Sequence, residues 1–128
     1  MIPILARREA EQRARIDLAR SWATELDRRL AGRVRLVAAV VVGSVARGDF
    51  NLWSDLDVLV VADGLPAGGR ARLDLLMERA PPGLQAIGWR PEELAERLGR
   101  RDPLALEALR VGVVVHGELP ALPTPEPA

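Results

Sequence analysis

The chain contains no cysteine, so disulfides and thiol chemistry are excluded at the outset. Its single histidine, His116, has no partners at metal-ligand spacing and reads as a strand-end residue rather than a zinc ligand. Lysine is absent as well: all 18 basic residues are arginine, and 18 acidic residues balance them. A formal net charge of zero gives the molecule no long-range pull toward nucleic acid or anionic membrane. Arginine does grip phosphate bidentately, but for most of these residues a solvated helix face is the better reading. No apolar run approaches the roughly 20 residues that span a bilayer. The opening MIPILARRE has too short an apolar stretch for a secretory signal, and its arginines follow that stretch instead of preceding it. A cytoplasmic protein without membrane contact is expected.

What is present suits one globular domain. The 128 residues, 48% hydrophobic and 28% charged, suffice for a single core but not two. Positions 5–31 carry a helical stripe, with Ala19, Trp22, Ala23, Leu26 and Leu30 on one face and Gly32 as the stop. Val34 to Val42 is apolar on both faces and predicts an interior strand. A second strand is expected from Asp55 to Ala62, a helix over 70–79, and a third strand from Leu84 to Trp89. Pro91 and Pro103 each open a helix, reaching Gly99 and Arg110, and Val113 to Val115 forms a short edge strand. The expected unit is residues 1–117, divided into an N-terminal helix (1–32) and a core (33–117). The proline-rich ELPALPTPEPA at 118–128 is expected to be disordered or extended. The fold class is α/β in the broad sense (α+β), a small mixed β-sheet with helices packed on it.

Chemistry concentrates in one window, Gly43 to Asp57, reading GSVARGDFNLWSDLD between two apolar strands. Alternation along a strand sends Asp55 and Asp57 to the same side. Two carboxylates on one face repel and cost desolvation energy unless a cation or donors sit between them. Hard oxygen ligands without nearby histidine or cysteine favour Mg²⁺ over Zn²⁺. Gly43 lets an anion approach the backbone closely, and a helical turn from Ser44 to Arg47 aims N–H groups outward. Arg47 either adds donors for that anion or pairs with Asp49. Trp53 and Phe50, in the loop before the aspartates, either pack the loop down or contact a ligand or partner.

The spacing Gly43-Ser44, Arg47-Gly48, Ser54-Asp55-Leu56-Asp57 resembles the signature of the nucleotidyltransferase fold in the DNA polymerase beta superfamily. It is most similar to the minimal nucleotidyltransferase domains found beside HEPN-type toxins. The resemblance spans about 110 residues, although its specificity lies in this window. It implies that Gly43 and Ser44 hold the triphosphate of ATP or another nucleoside triphosphate, with Arg47 nearby. It implies that Asp55 and Asp57 hold a pair of Mg²⁺ ions and are the catalytic acids, moving AMP onto a hydroxyl acceptor. A HEPN-type protein is the implied partner, self-association is left open, and the chain shows no strong nucleic-acid signal.

One departure stands out. Aligning LQAIGWRPEEL with the family's next strand puts Gln85 where a third carboxylate is expected. An amide carbonyl ligates metal weakly and cannot take a proton, and losing a general base costs about 10²–10⁴ in rate. Glu92 and Glu93 fit ordinary helix-start roles better than replacement of that acid. A docking module with weak or no catalysis is therefore the alternative expectation.

Overall fold

The computed structural model describes residues 3–120. Helix α1 (Ile4–Leu30) buries Ala19, Trp22, Ala23, Leu26 and Leu30, the stripe expected from spacing, and all five lie in its second half. Strand β1 (Arg35–Val42) leads into the single-turn helix α2 (Gly43–Arg47), and strand β2 (Leu56–Asp63) returns. Helix α3 (Gly69–Met77), strand β3 (Leu84–Trp89), helices α4 (Pro91–Gly99) and α5 (Pro103–Arg110) and strand β4 (Val113–Gly117) complete the order. β3, α4 and α5 match the expected bounds. β2 begins at Leu56, which leaves Asp55 in the loop just ahead of it. β4 extends beyond Val115 because His116 and Gly117 find partners in Ala39 and Ala38 of β1, a long-range pairing.

The strands form one mixed sheet in the order β3-β2-β1-β4. β1 runs antiparallel to β2 and β4, and β2 runs parallel to β3. Helices cover both faces, as the doubly apolar β1 requires. Val41, Val58, Val60 and Ala86 face α1 and α3; Val40, Val42, Leu59 and Trp89 face α4 and α5. The α5 start is fixed by Asp102, whose carboxylate accepts from the N–H groups of Leu104 and Ala105 at 3.0 and 3.1 Å. At the α4 start, Glu93 accepts from the Arg90 N–H at 2.6 Å and from Arg72 at 2.7 Å, which absorbs it into structure. Burial pushes the Glu93 carboxyl up, but the Arg90 N–H and Arg72 together draw it below its ordinary range. His116 lies 3.4 Å from Asp27 at the sheet edge. Of the proline-rich tail, residues 121–128 fall outside the described residues.

Candidate active site

β1 ends and β2 begins at the same end of the sheet, so the α2 turn and the aspartates meet there. Val42 is the register partner of Asp57, and Gly43 follows directly. Gly43 takes φ +73°, in the left-handed region that glycine tolerates without penalty. The contact is tight: a Cβ at this position would stand 2.8 Å from Asp57 Oδ2. The Gly-Ser turn and the second aspartate are thus packed against each other.

Asp57 alternates with Leu59 and Val61, which puts it on the α4–α5 face of the sheet. Gln85 is its register partner on β3 and alternates with Ile87 and Trp89 toward the same face. Adjacent strands lie about 4.8 Å apart, so the amide and the carboxylate are immediate neighbours. Asp55 is exposed and Asp57 half-buried. Burial foremost, then the charges of Asp55 and Glu107, push the Asp57 carboxyl up, against a smaller opposing pull from Arg47. These groups therefore share one electrostatic neighbourhood.

Glu107 is the member that sequence reasoning missed. It reaches in from α5, whose Ala105 and Ala108 are buried against β1 and β2. Its Oε1 lies 2.5 Å from Arg47 Nη1, while Arg47 Nε lies 3.3 Å from Asp49 Oδ2. Arg47 is thus ion-paired on two sides, taking up the pairing with Asp49 and adding one that no local spacing announces.

The loop from Gly48 to Ser54 is shaped by α1. Arg8 donates to the carbonyls of Gly48 and Phe50, Gln12 to that of Val45 at 2.8 Å, and Arg15 to that of Ser54 at 2.9 Å. Phe50 is buried, with the Arg8 and Arg15 guanidinium carbons each 5.0 Å from its ring centroid. Packing the loop down is therefore the role of Phe50. Trp53 does the reverse. It is 87% exposed, which overturns the packing reading for that residue. Asn51 Oδ1 accepts from the Trp53 N–H at 2.8 Å and Ser54 Oγ from the Asn51 N–H at 2.9 Å, an Asx-type turn that holds the indole outward.

Among the described residues, no three His, Cys, Asp or Glu side chains stand close enough to enclose a metal ion. The fit is to a different kind of site. Mg²⁺ is commonly held by one or two carboxylates, with substrate phosphates and water filling the remaining positions. Asp55 and Asp57 offer that donor set, and the mutual repulsion felt by Asp57 is what a divalent cation relieves.

The sequence model of the nucleotidyltransferase domain family matches residues 23–106. No curated protein matches the chain. Among solved structures, the 1.40 Å crystal structure of a protein from Sulfolobus solfataricus, described as a candidate nucleotidyltransferase, is similar with a TM-score of 0.60. The similarity covers 84% of each chain at 19% identity, a likeness of fold. Arg8, Gln12 and Arg15 precede the family match and Glu107 follows it, so the braces of this site lie outside the matched residues. With its mixed sheet, its Gly-Ser turn and its paired aspartates inside the match, the chain belongs to the nucleotidyltransferase domain family of the DNA polymerase beta superfamily.

Proposed function

We propose that the protein is a Mg²⁺-dependent nucleotidyltransferase that moves AMP from ATP onto a hydroxyl carried by a second protein, of HEPN type. The observation that carries this reading is the contact between the Gly43 turn and Asp57, since it sets the Gly-Ser turn directly against a carboxylate able to hold a metal ion. Asp55 and Asp57 would hold the metal, and Gly43 and Ser44 the triphosphate tail, with Arg47 available beside it once it leaves its acidic partners. A Mg²⁺ ion held there would neutralise the charge that develops during the transfer. In the transfer, the acceptor oxygen bonds to the α-phosphorus, the bond to pyrophosphate breaks, and the hydroxyl proton passes to solvent. Gln85 cannot take that proton, so the chain relies on orientation and charge more than on base catalysis. Incubation with labelled ATP, Mg²⁺ and a HEPN-type protein should label the partner, and Asp55→Ala should abolish labelling. Equal labelling by wild type and Asp55→Ala would sink the proposal.

A second reading is favoured by Gln85 lying beside Asp57 on the same face. Here the protein binds nucleotide and docks on its partner with little or no turnover. Restoring the acid discriminates the two: transfer that appears only in Gln85→Glu identifies the wild type as a docking module.

A further inference from the structure

Glu107 is an acid at this site that neither the paired aspartates nor Gln85 accounts for. It precedes the buried Ala108 on α5, and its own side chain is only 24% exposed. Its charge is felt at Asp57, so it stands within the site. What it holds there is a side chain alone, because the backbone of Arg47 is fixed by other means. Val45 is fully buried, and Gln12 donates to its carbonyl at 2.8 Å. The N–H groups of Gly48 and Asp49 both donate to the Ser44 carbonyl, at 2.9 and 3.1 Å. These bonds set the α2 turn whether or not Glu107 is present.

A guanidinium grips a phosphate through two parallel N–H bonds from one edge of its fork. On Arg47 the edge bearing Nε is bonded to Asp49 at 3.3 Å, and the edge bearing Nη1 to Glu107 at 2.5 Å. Each edge therefore already has a donor spent. Of the two bonds, the one to Glu107 is the shorter. Glu107 foremost, with Asp49 after it, also holds the Arg47 guanidinium above its ordinary range. An anion at the Gly-Ser turn must displace a carboxylate before Arg47 can offer it a two-bonded grip. We infer that Glu107 is an internal competitor for the phosphate tail, occupying Arg47 in the unliganded chain and thereby setting how tightly a triphosphate binds, a role that rests on the triphosphate placement proposed above. A partly exposed ion pair is a modest competitor, so freeing Arg47 should be worth about three- to fivefold in affinity.

The test reads binding, not turnover. Glu107→Gln keeps the size and helix preference of the residue and removes its charge. By calorimetry, this variant should bind Mg²⁺-ATP and Mg²⁺-triphosphate each about three- to fivefold more tightly than the wild type. An equal gain for both probes places the effect at the phosphate tail. Asp74→Asn removes an exposed acid from α3, on the opposite face of the sheet, and should bring no such gain. In an Arg47→Gln background the gain from Glu107→Gln should largely vanish, since the two residues act as a pair. A gain that is as large without Arg47 reflects net charge alone and overturns the inference. Weaker binding by Glu107→Gln also overturns it, because Glu107 would then orient Arg47 for the anion. Wild-type binding with no gain in Glu107→Gln defeats the competitor role and leaves the transfer reading in place, whereas no binding of either probe by either protein defeats both.

Discussion

At the scale of single residues, Gly43 and Asp57 behave as one unit. Gly43→Ala imposes a left-handed φ on a residue with a Cβ, at about 1–3 kcal/mol of stability. It also presses that Cβ against the Asp57 carboxylate. The expected outcome is a stability loss of that size in urea melts together with a loss of Mn²⁺ binding, followed by paramagnetic resonance, in the fully folded variant. Intact Mn²⁺ binding would show that the contact does not position the acid. Asp57 makes a second prediction through pH. Its carboxyl is raised in the folded state, chiefly by burial and then by Asp55 and Glu107. Between the ordinary carboxylate value, about 3.9, and the raised one, the folded protein keeps a proton that the unfolded chain has released. Stability from this residue is therefore full below that window and is lost as pH rises through it. Without divalent metal, Asp57→Asn should melt above the wild type at neutral pH, and the gap should close as pH falls below the window. A gap that stays constant across pH would contradict the linkage.

Among the elements, α5 has the most to say about the site, because it carries Glu107 to Arg47. The turn after it is held by Gly112, where an added Cβ would stand 2.4 Å from Ala108 O and 2.5 Å from Val40 Cγ1. Gly112→Ala should cost about 1–3 kcal/mol by overpacking, measured by denaturant titration. If the expected displacement of α5 occurs, crystallography of the variant will show the Arg47–Glu107 pair parted. The same comparison explains what could be read from the chain. β3, α4 and α5 were legible to the residue because prolines open both helices and apolar runs are sharply bounded. The aspartates and the Gly-Ser turn were legible because they sit in one contiguous window. Glu107 and Arg15 were not, since helical spacing assigns both to solvated faces and only the packing of α5 and α1 brings them to this end of the sheet. For β4 the sequence placed His116 at the strand's end, while Gly117 joins the strand only through its pairing with Ala38 of β1. Trp53 was ambiguous because the Asn51 turn that ejects it depends on side-chain bonding within the loop.

For the whole molecule, balanced charge has a measurable consequence. Most of its ion pairs are at least partly exposed, and exposed pairs contribute roughly 0–1 kcal/mol each and are screened by salt. Ligand should therefore move stability more than salt does. Mg²⁺-ATP at 100 times its Kd should add about 2.7 kcal/mol, read as a rise in Tm, and an unchanged Tm would count against nucleotide binding. One further consequence follows from how α1 is anchored. None of its residues before Ala19 is fully buried, yet Arg8, Gln12 and Arg15 grip the loop that displays Trp53. From Ile4 to Leu18 that amounts to about 22 Å of helix at 1.5 Å per residue, tied to the body by side-chain bonds to a loop instead of by fully buried residues. Arg15→Ala, which removes the bond to the Ser54 carbonyl next to Asp55, is therefore expected to loosen the approach to the aspartates while the core packing of α1 from Ala19 onward stays intact.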